Sequence, residues 1–425
     1  MFPPRSVQAM ALMGQCEATM GARDERQRFA IDGRIIAADD PALQPALARA
    51  YDSPSRPRCL CVAGGVEMYV AHHGEFVIKR MPDSGVRHHP ACPSFEPEPA
   101  ESGLGELLGD AVIEAEPGRV EVRVGFAWER VAARQRRPGA AQPSTDAARP
   151  QRRLSLRALM HLLFERAGFN RWSPAMLGKR NQAVLHKYLM QAADGVIVKG
   201  VNLGERLYVP EPFSETKKAE LSQRRRAKLS VLHPHDGHWP MALVIGEFKA
   251  CEFAEPESRV WIRHMPDAPL LVSNDHWRRI QRVHGPILEA RDADIAVGVR
   301  LLIVALIRAR REQTYEVDVA SLMLASEQWI PLEGVQELPL VDALVMQRRR
   351  FVKPLPYDAR NVAAFANATL LDVGRVPQPL HLISPYWPPA ERAAKERAIA
   401  VCGEGAWVWR TEEPMPALPG AAKVE

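Results

Sequence analysis

Apolar and polar positions alternate with a period of two over several short stretches of this chain, and with helical spacing over a few longer ones. Phe29 to Ile36 (FAIDGRII) predicts two strands turning at Asp32-Gly33, a dipeptide suited to a tight hairpin turn. A short helix is expected over Pro41 to Tyr51, with Asp40 as its N-cap and Pro41 in the first turn. Glu67–Ala71 and Glu75–Lys79 alternate on either side of His72-His73-Gly74 and predict a second hairpin. Val120 to Trp128 alternates and predicts another strand. From Ser155 to Gly168, apolar residues at Leu156, Leu159, Leu162, Leu163 and Ala167 have the spacing of a helix capped by Ser155 and stopped by Gly168. A second helix over Gly178–Ala193 and alternation over Val196–Val209 follow. They admit either a winged helix-turn-helix or a plain small helical unit.

Further along, Met241–Phe253 and Arg259–His264 predict strands, and Asp275–Ala290 a helix. Val297–Arg308 and Tyr315–Leu324 form a hairpin pattern around Arg311-Glu312-Gln313. From Glu333 the expected order is helix (to Met346), strands at Phe351–Tyr357, Ala368–Asp372 and Pro379–Ile383, helix Pro389–Val401, and strand Gly405–Arg410. This is a compact α/β unit with the element order of restriction-endonuclease-like nucleases. The stretch from Val131 to Arg153 is rich in Ala, Pro, Gln and Arg and reads as a linker. The pattern gives an α+β multidomain chain: residues 1–130 as an N-terminal domain opening on a weakly structured lead-in, 131–153 as linker, 154–330 as a central helical and β-strand domain, and 331–425 as the α/β unit.

Composition adds little. The chain has 425 residues, 46% hydrophobic and 25% charged, with 36 prolines and a formal net charge of +5, a mild bias toward an acidic partner such as DNA or RNA. Its six cysteines are too few and too unevenly spaced for a disulfide framework. No basic-apolar-small leader opens the sequence, and the most apolar run, Ile295–Ile307, is short and contains Arg300. No membrane association is expected, and a reducing cytoplasm is the natural setting.

There, clustered cysteine reads as metal or redox chemistry. Cys59 and Cys61, then His88 and Cys92, supply two short-spaced pairs at the base of the second hairpin, the ligand set of a closed tetrahedral zinc site. With every position filled by protein, such a zinc would be structural. His72, His73 and His89 are substitutes for His88, and the plain alternative is a set of small buried thiols beside surface histidines.

Two places invite a Mg²⁺-dependent nuclease. Asp236 precedes Glu247-Phe248-Lys249, an arrangement in which the carboxylates would hold Mg²⁺ and the lysine steady the attacking water; a surface ion pair at a strand end is the competing explanation. In the α/β unit, acids would be wanted near Asn367 and His381, where this chain has none. Asp372 is the nearby strand carboxylate, and Lys395 lies on the next helix. Neutral Asn and His cannot replace two anionic ligands, so this copy of the fold is expected to be degenerate. Basic runs occur at Arg134–Arg137, Arg149–Arg153, Arg224–Lys228 and Arg348–Lys353. Arg224, Arg225, Arg226, Arg348, Arg349 and Arg350 are the nucleic-acid-binding candidates, against the alternative of solvated helix faces.

RPRCLCVAGGVEMYVA, KRMPDSGVRHHPACPSFEP, LVIGEFK and RRRFVKPLPYD resemble the bacterial domain of unknown function 1173 family, over about Gly33 to Trp409. The resemblance implies Cys59, Cys61, His88 and Cys92 as the family's Cys-x-Cys and His-x-x-x-Cys, and an accessory role on integrative conjugative elements and plasmids. Where relatives look like Pro-Asp-Phe and Met-Glu, this chain has Ala366-Asn367-Ala368 and Leu380-His381. The leading expectation is a zinc-stabilised, non-enzymatic, nucleic-acid-associated protein of a mobile element. The alternatives are a Mg²⁺-dependent nuclease and a scaffold for other mobile-element proteins.

Overall fold

A computed structural model describes residues 27–116, 118–131, 151–292, 298–311, 313–403 and 405–422. Cys16, the lead-in before residue 27, Arg134–Arg137 and most of the linker lie outside the described residues. The described residues are mixed α+β and form four sheets.

The first sheet comprises β1 (Arg28–Ile31), β2 (Arg34–Ala37), β3 (Arg58–Cys59), β4 (Val66–His73) and β5 (Glu75–Arg80), in the order β2-β1-β3-β4-β5. Asp32 and Gly33 both have positive φ, 48° and 75°, as the tight β1–β2 turn requires. Helix α1 (Leu43–Tyr51) covers this sheet with Leu43, Ala46, Leu47 and Ala50. It starts two residues later than expected, and the Asp40 carboxylate accepts the Ala42 N–H at 2.8 Å just ahead of it.

The second sheet begins with β6 (Val112–Glu116) and β7 (Arg119–Val122); β8 (Glu129–Val131) belongs to the third. The single strand expected over Val120–Trp128 is therefore interrupted. Val124 bridges to Leu154 and Gly125 donates to the Leu154 carbonyl, so the chain crosses from one sheet to the next here and resumes pairing only at Glu129. Helices α2 (Leu156–Arg166) and α3 (Gln182–Ala193) are capped by Ser155, which accepts the Ala158 N–H, and Asn181, which accepts that of Val184. Between them lies β9 (Arg171–Trp172), and after them the hairpin β10 (Val196–Val198) and β11 (Val201–Asn202), which extends the second sheet through a parallel β10–β7 pairing.

β12 (Leu207–Tyr208) and α4 (Lys218–Lys228) lead into the central sheet: β13 (His238–Glu252), β14 (Glu257–Ile262), β15 (Leu270–Ser273), helix α5 (Asn274–Asp292), β16 (Val299–Arg311), β17 (Thr314–Ser326) and β18 (Pro331–Leu332). The pattern missed β15, only four residues long. Pairings form a closed circuit, β13-β14-β15-β17-β16 and back to β13. Alternate residues of these strands feed two cores. Met241, Leu243, Ile245, Leu302, Val304 and Leu306 pack with α2 and α3, whereas Ala242, Val244, Leu301, Ile303 and Ala305 pack with Trp277 and Ile280 of α5 and the C-terminal elements. Burial on both faces is why these strands read as apolar runs. The first of these cores also takes Val112, Val120, Val124 and Trp128, so residues from both sides of 132–150 share it.

The C-terminal elements are α6 (Leu338–Met346), β19 (Phe351–Val352), β20 (Ala368–Leu370), β21 (Gln378–Ile383), α7 (Pro389–Val401) and β22 (Trp407–Arg410), the expected order of types. Their sheet runs β22-β21-β20-β19-β9, with only β21–β22 parallel. β19 stops short of the expected Tyr357 because Pro354 and Pro356 cannot donate to a ladder. Among the described residues, no helix is long and apolar enough to cross a membrane.

Candidate metal centre

Cys59 ends β3, held between β1 and β4 by pairing with Phe29 and Val66. Cys61 follows in the turn toward Gly64-Gly65. The β4–β5 hairpin carries the chain away and back, and a 3₁₀ turn over Gly85–Arg87 delivers His88 and then Cys92 to the same place. Ligand atoms of Cys59, Cys61, His88 and Cys92 all lie within 4.8 Å of one another. Cys59 Sγ is 3.7 Å from Cys92 Sγ, and Cys61 Sγ is 3.3 Å from His88 Nδ1. These sulfurs are far beyond disulfide bonding, at about 2.05 Å. A tetrahedral metal with bonds of about 2.3 Å to sulfur separates its thiolates by about 3.8 Å. The observed spacing therefore fits ligands around a common ion.

The surroundings stabilise negative sulfur. The backbone N–H of His89 points at Cys61 Sγ (3.5 Å) and that of Ser94 at Cys92 Sγ (3.4 Å). Gln27 Nε2 donates to Cys59 Sγ (3.6 Å), Cys92 Sγ (3.7 Å) and Ser94 Oγ (3.1 Å). Gln27 lies ahead of the first strand and was not legible as part of the site. The contacts with Cys61 and Cys92 hold the Cys59 thiol far below its ordinary range. Cys92 is pushed far up, first by its contact with Cys59. Burial opposes charge on His88, but the Cys59 and Cys61 sulfurs outweigh it and lift the imidazole to about 9. A divalent cation would relieve this competition, with three sulfurs and one imidazole as its donors.

Of the substitute histidines, His72 and His89 are engaged elsewhere, and the side chain of His73 lies outside the described residues. The His72 ring packs 4.7 Å from Phe76, and the His89 ring accepts the Ala91 N–H at 3.2 Å. The module that contains the site has its own core: Phe29, Ile31, Ile36, Leu43, Leu47, Met68, Cys59 and Cys92. Immediately after Cys92, Phe95 packs on Val352 and Leu371 of the C-terminal unit, its carbonyl accepts from Arg171, and Glu96 pairs with Arg80 and, at 3.6 Å, with Arg171.

The other candidate residues do not assemble. Asp236 sits in the turn before β13 and Glu247 eleven residues on, roughly 30 Å away along an extended strand. Glu247 is gripped by Arg300 at 3.1 Å and Arg263 at 3.3 Å, while Lys249 is exposed. Of the arginine candidates, Arg225 is buried against Asp267 at 2.6 Å, and Arg224 pairs with Glu211 and Glu220. Arg349 makes a two-pronged pair with Asp372 (2.7 and 3.1 Å), whose carboxylate also accepts the Arg350 N–H. Arg348 occupies a positive-φ position just past α6. In the α/β unit, Asn367 donates to Glu337 at 2.8 Å, and Lys395 donates to the Phe365 carbonyl at 2.6 Å. Glu337, immediately ahead of the apolar run of α6, is the acid of this region. Its only sequence signal is that position, and the pattern placed it inside the helix.

No curated protein matches the chain. The family described as Protein of unknown function (DUF1173) matches residues 29–412, from the first strand of the Cys/His module to just past β22, and the chain therefore belongs to that family.

Proposed function

We propose that this chain is a zinc-stabilised protein without catalytic activity that associates with nucleic acid as an accessory of a mobile element. The convergence of Cys59, Cys61, His88 and Cys92 within 4.8 Å carries the reading. Three thiolates and an imidazole are a donor set for zinc and a poor one for Mg²⁺ or Ca²⁺, which take oxygen. Four protein ligands leave no position for substrate, so the ion would hold the module together. Its binding free energy would then be folding free energy.

The absence of catalysis is supported by the engagement of Glu247 with two arginines. It is supported too by the C-terminal helix-strand-strand-strand-helix-strand order, which resembles a degenerate nuclease carrying Asn367 and His381 where acids would be needed. The net charge of +5 favours a nucleic-acid partner, and the mobile-element role rests on the family resemblance.

Elemental analysis of purified protein tests the metal: about one zinc per chain is expected, lost together with stability in Cys92→Ser. DNA and RNA binding measured across salt concentrations tests the partner. Affinity should fall steeply as salt rises, and flat, negligible binding at low salt would sink that part of the reading.

A further inference from the structure

At the end of the long β16–β17 hairpin, against the C-terminal end of α4, lies a small open pocket of about 120 Å³. Its basic side chains are Arg226, His233, Arg310 and Arg311, its floor includes Leu229 and Tyr315, and among the described residues no carboxylate lines it. A regular strand sends consecutive residues to opposite faces. Here the pairing register shifts between Ala309 and Arg311, which lets Arg310 and Arg311 line one pocket.

The arginines differ in what they already hold. Arg310 is paired with Glu257. Arg226 donates to Ser222 Oγ at 3.2 Å, a neutral partner. Among the described residues, neither Arg226 nor Arg311 has a carboxylate at ion-pair distance, whereas Arg224, Arg225 and Arg349 all do. Uncompensated guanidinium groups around a concave apolar floor suit a tetrahedral oxyanion, which they can fork from two sides. The volume decides how much of a ligand enters. Whole small-molecule ligands occupy pockets of roughly 300–1,000 Å³. This one admits a single group and leaves the rest of the ligand outside.

We propose that the pocket between α4 and the β16–β17 turn is a phosphate-binding site in which Arg226 and Arg311 grip one backbone phosphate of a nucleic acid. The identity of the phosphate's carrier rests on the nucleic-acid reading above, and the site itself does not. Of the arginine run on α4, the structure thus assigns the contact to Arg226, and it adds Arg311 from a strand the basic runs did not mark.

The test uses the full chain and a fluorescent oligonucleotide, single-stranded and duplex, titrated by anisotropy at several salt concentrations. The variants are Arg226→Ala, Arg311→Ala, their double, and Arg34→Ala as an exposed charge-matched control on β2. A parallel thermal-shift series uses inorganic pyrophosphate. The double variant should lose about tenfold or more in oligonucleotide affinity near 0.1 M salt, and its salt slope should fall by about one, the single phosphate lost. Arg34→Ala should change neither, and all variants should melt with the wild type in the absence of ligand. A double variant that binds oligonucleotide like wild type overturns the site while leaving the nucleic-acid reading intact. Loss in Arg34→Ala equal to that in Arg311→Ala overturns it as well, since binding then tracks net charge. Stabilisation by pyrophosphate that the double variant lacks, without oligonucleotide binding by the wild type, supports the phosphate site and removes nucleic acid as its source.

Discussion

Lys353 Nζ lies 2.8 Å from Glu337 Oε2, with the two side chains 1% and 3% exposed. The same carboxylate accepts from Asn367 Nδ2 at 2.8 Å and from the Glu333 N–H at 2.8 Å, so its lone pairs are well used. Removing one member of such a pair strands the other charge in a dry interior. Glu337→Ala should therefore cost about 3–5 kcal/mol in urea unfolding, and the double variant Glu337→Leu/Lys353→Met should recover most of it. A single-variant loss under about 1 kcal/mol would show that water reaches the pair.

Gln27 offers a test of the metal centre that leaves its ligands in place. Its amide donates to two of the four cysteine and histidine ligand side chains, Cys59 and Cys92, and partners of this kind tune metal affinity by roughly 10–100-fold. Gln27→Ala should retain zinc as purified yet surrender it to a competing chelator at correspondingly lower chelator concentration. Unchanged competition would reduce Gln27 to a packing role.

All nine tryptophans lie at or beyond Trp128, outside the Cys/His module, whose core draws only on residues 29–92. Chelation should therefore raise hydrogen exchange across residues 28–92 while β13, β16 and β17 stay protected and tryptophan emission changes little. Simultaneous loss of protection in the central strands would mean that module and body unfold as one.

Acid should weaken the fold through its buried imidazoles. His161 Nδ1 accepts the Tyr357 N–H at 3.1 Å and His284 Nε2 that of Leu322 at 3.4 Å, contacts that protonation would remove. Burial lowers His284 and His381 to about 4, with Arg157 and Lys395 respectively adding to the effect, and lowers His161 well below its ordinary value. A depressed folded-state value means the stabilisation is whole above about 6.5 and, for His284 and His381, drains away as pH falls through 4; roughly 2 kcal/mol for each of these two is gone at pH 5. Urea midpoints compared at pH 7 and pH 5 should show the loss, and His284→Gln should shrink it. An equal loss in that variant would place the titration elsewhere.

The convergence of Cys59, Cys61, His88 and Cys92 was legible because they come as two sequence-local pairs joined by a hairpin whose alternation and turn residues are explicit. Gln27 was not, because an amide donor to sulfur has no spacing rule. The long strands were legible for a physical reason too. β13, β16 and β17 are buried on both faces and leave unbroken apolar runs, while β15, four residues long, leaves almost no pattern. Glu247 shows the limit most clearly. Its spacing to Lys249 suggested metal chemistry, but its partners are Arg263 and Arg300, the latter 53 residues distant, and only the fold could reveal that the charge was already neutralised.

The β4–β5 hairpin has its two ends drawn together at the Cys/His cluster and its tip at Gly74, where an added Cβ would meet nothing within 4 Å. A loop fastened at its root leaves its far end free to vary in length. Foreign sequence, a peptide tag or a dye-bearing segment placed at Gly74 should ride on the molecule without loosening the ion's grip, which makes this tip the place to attach a reporter that follows the module alone.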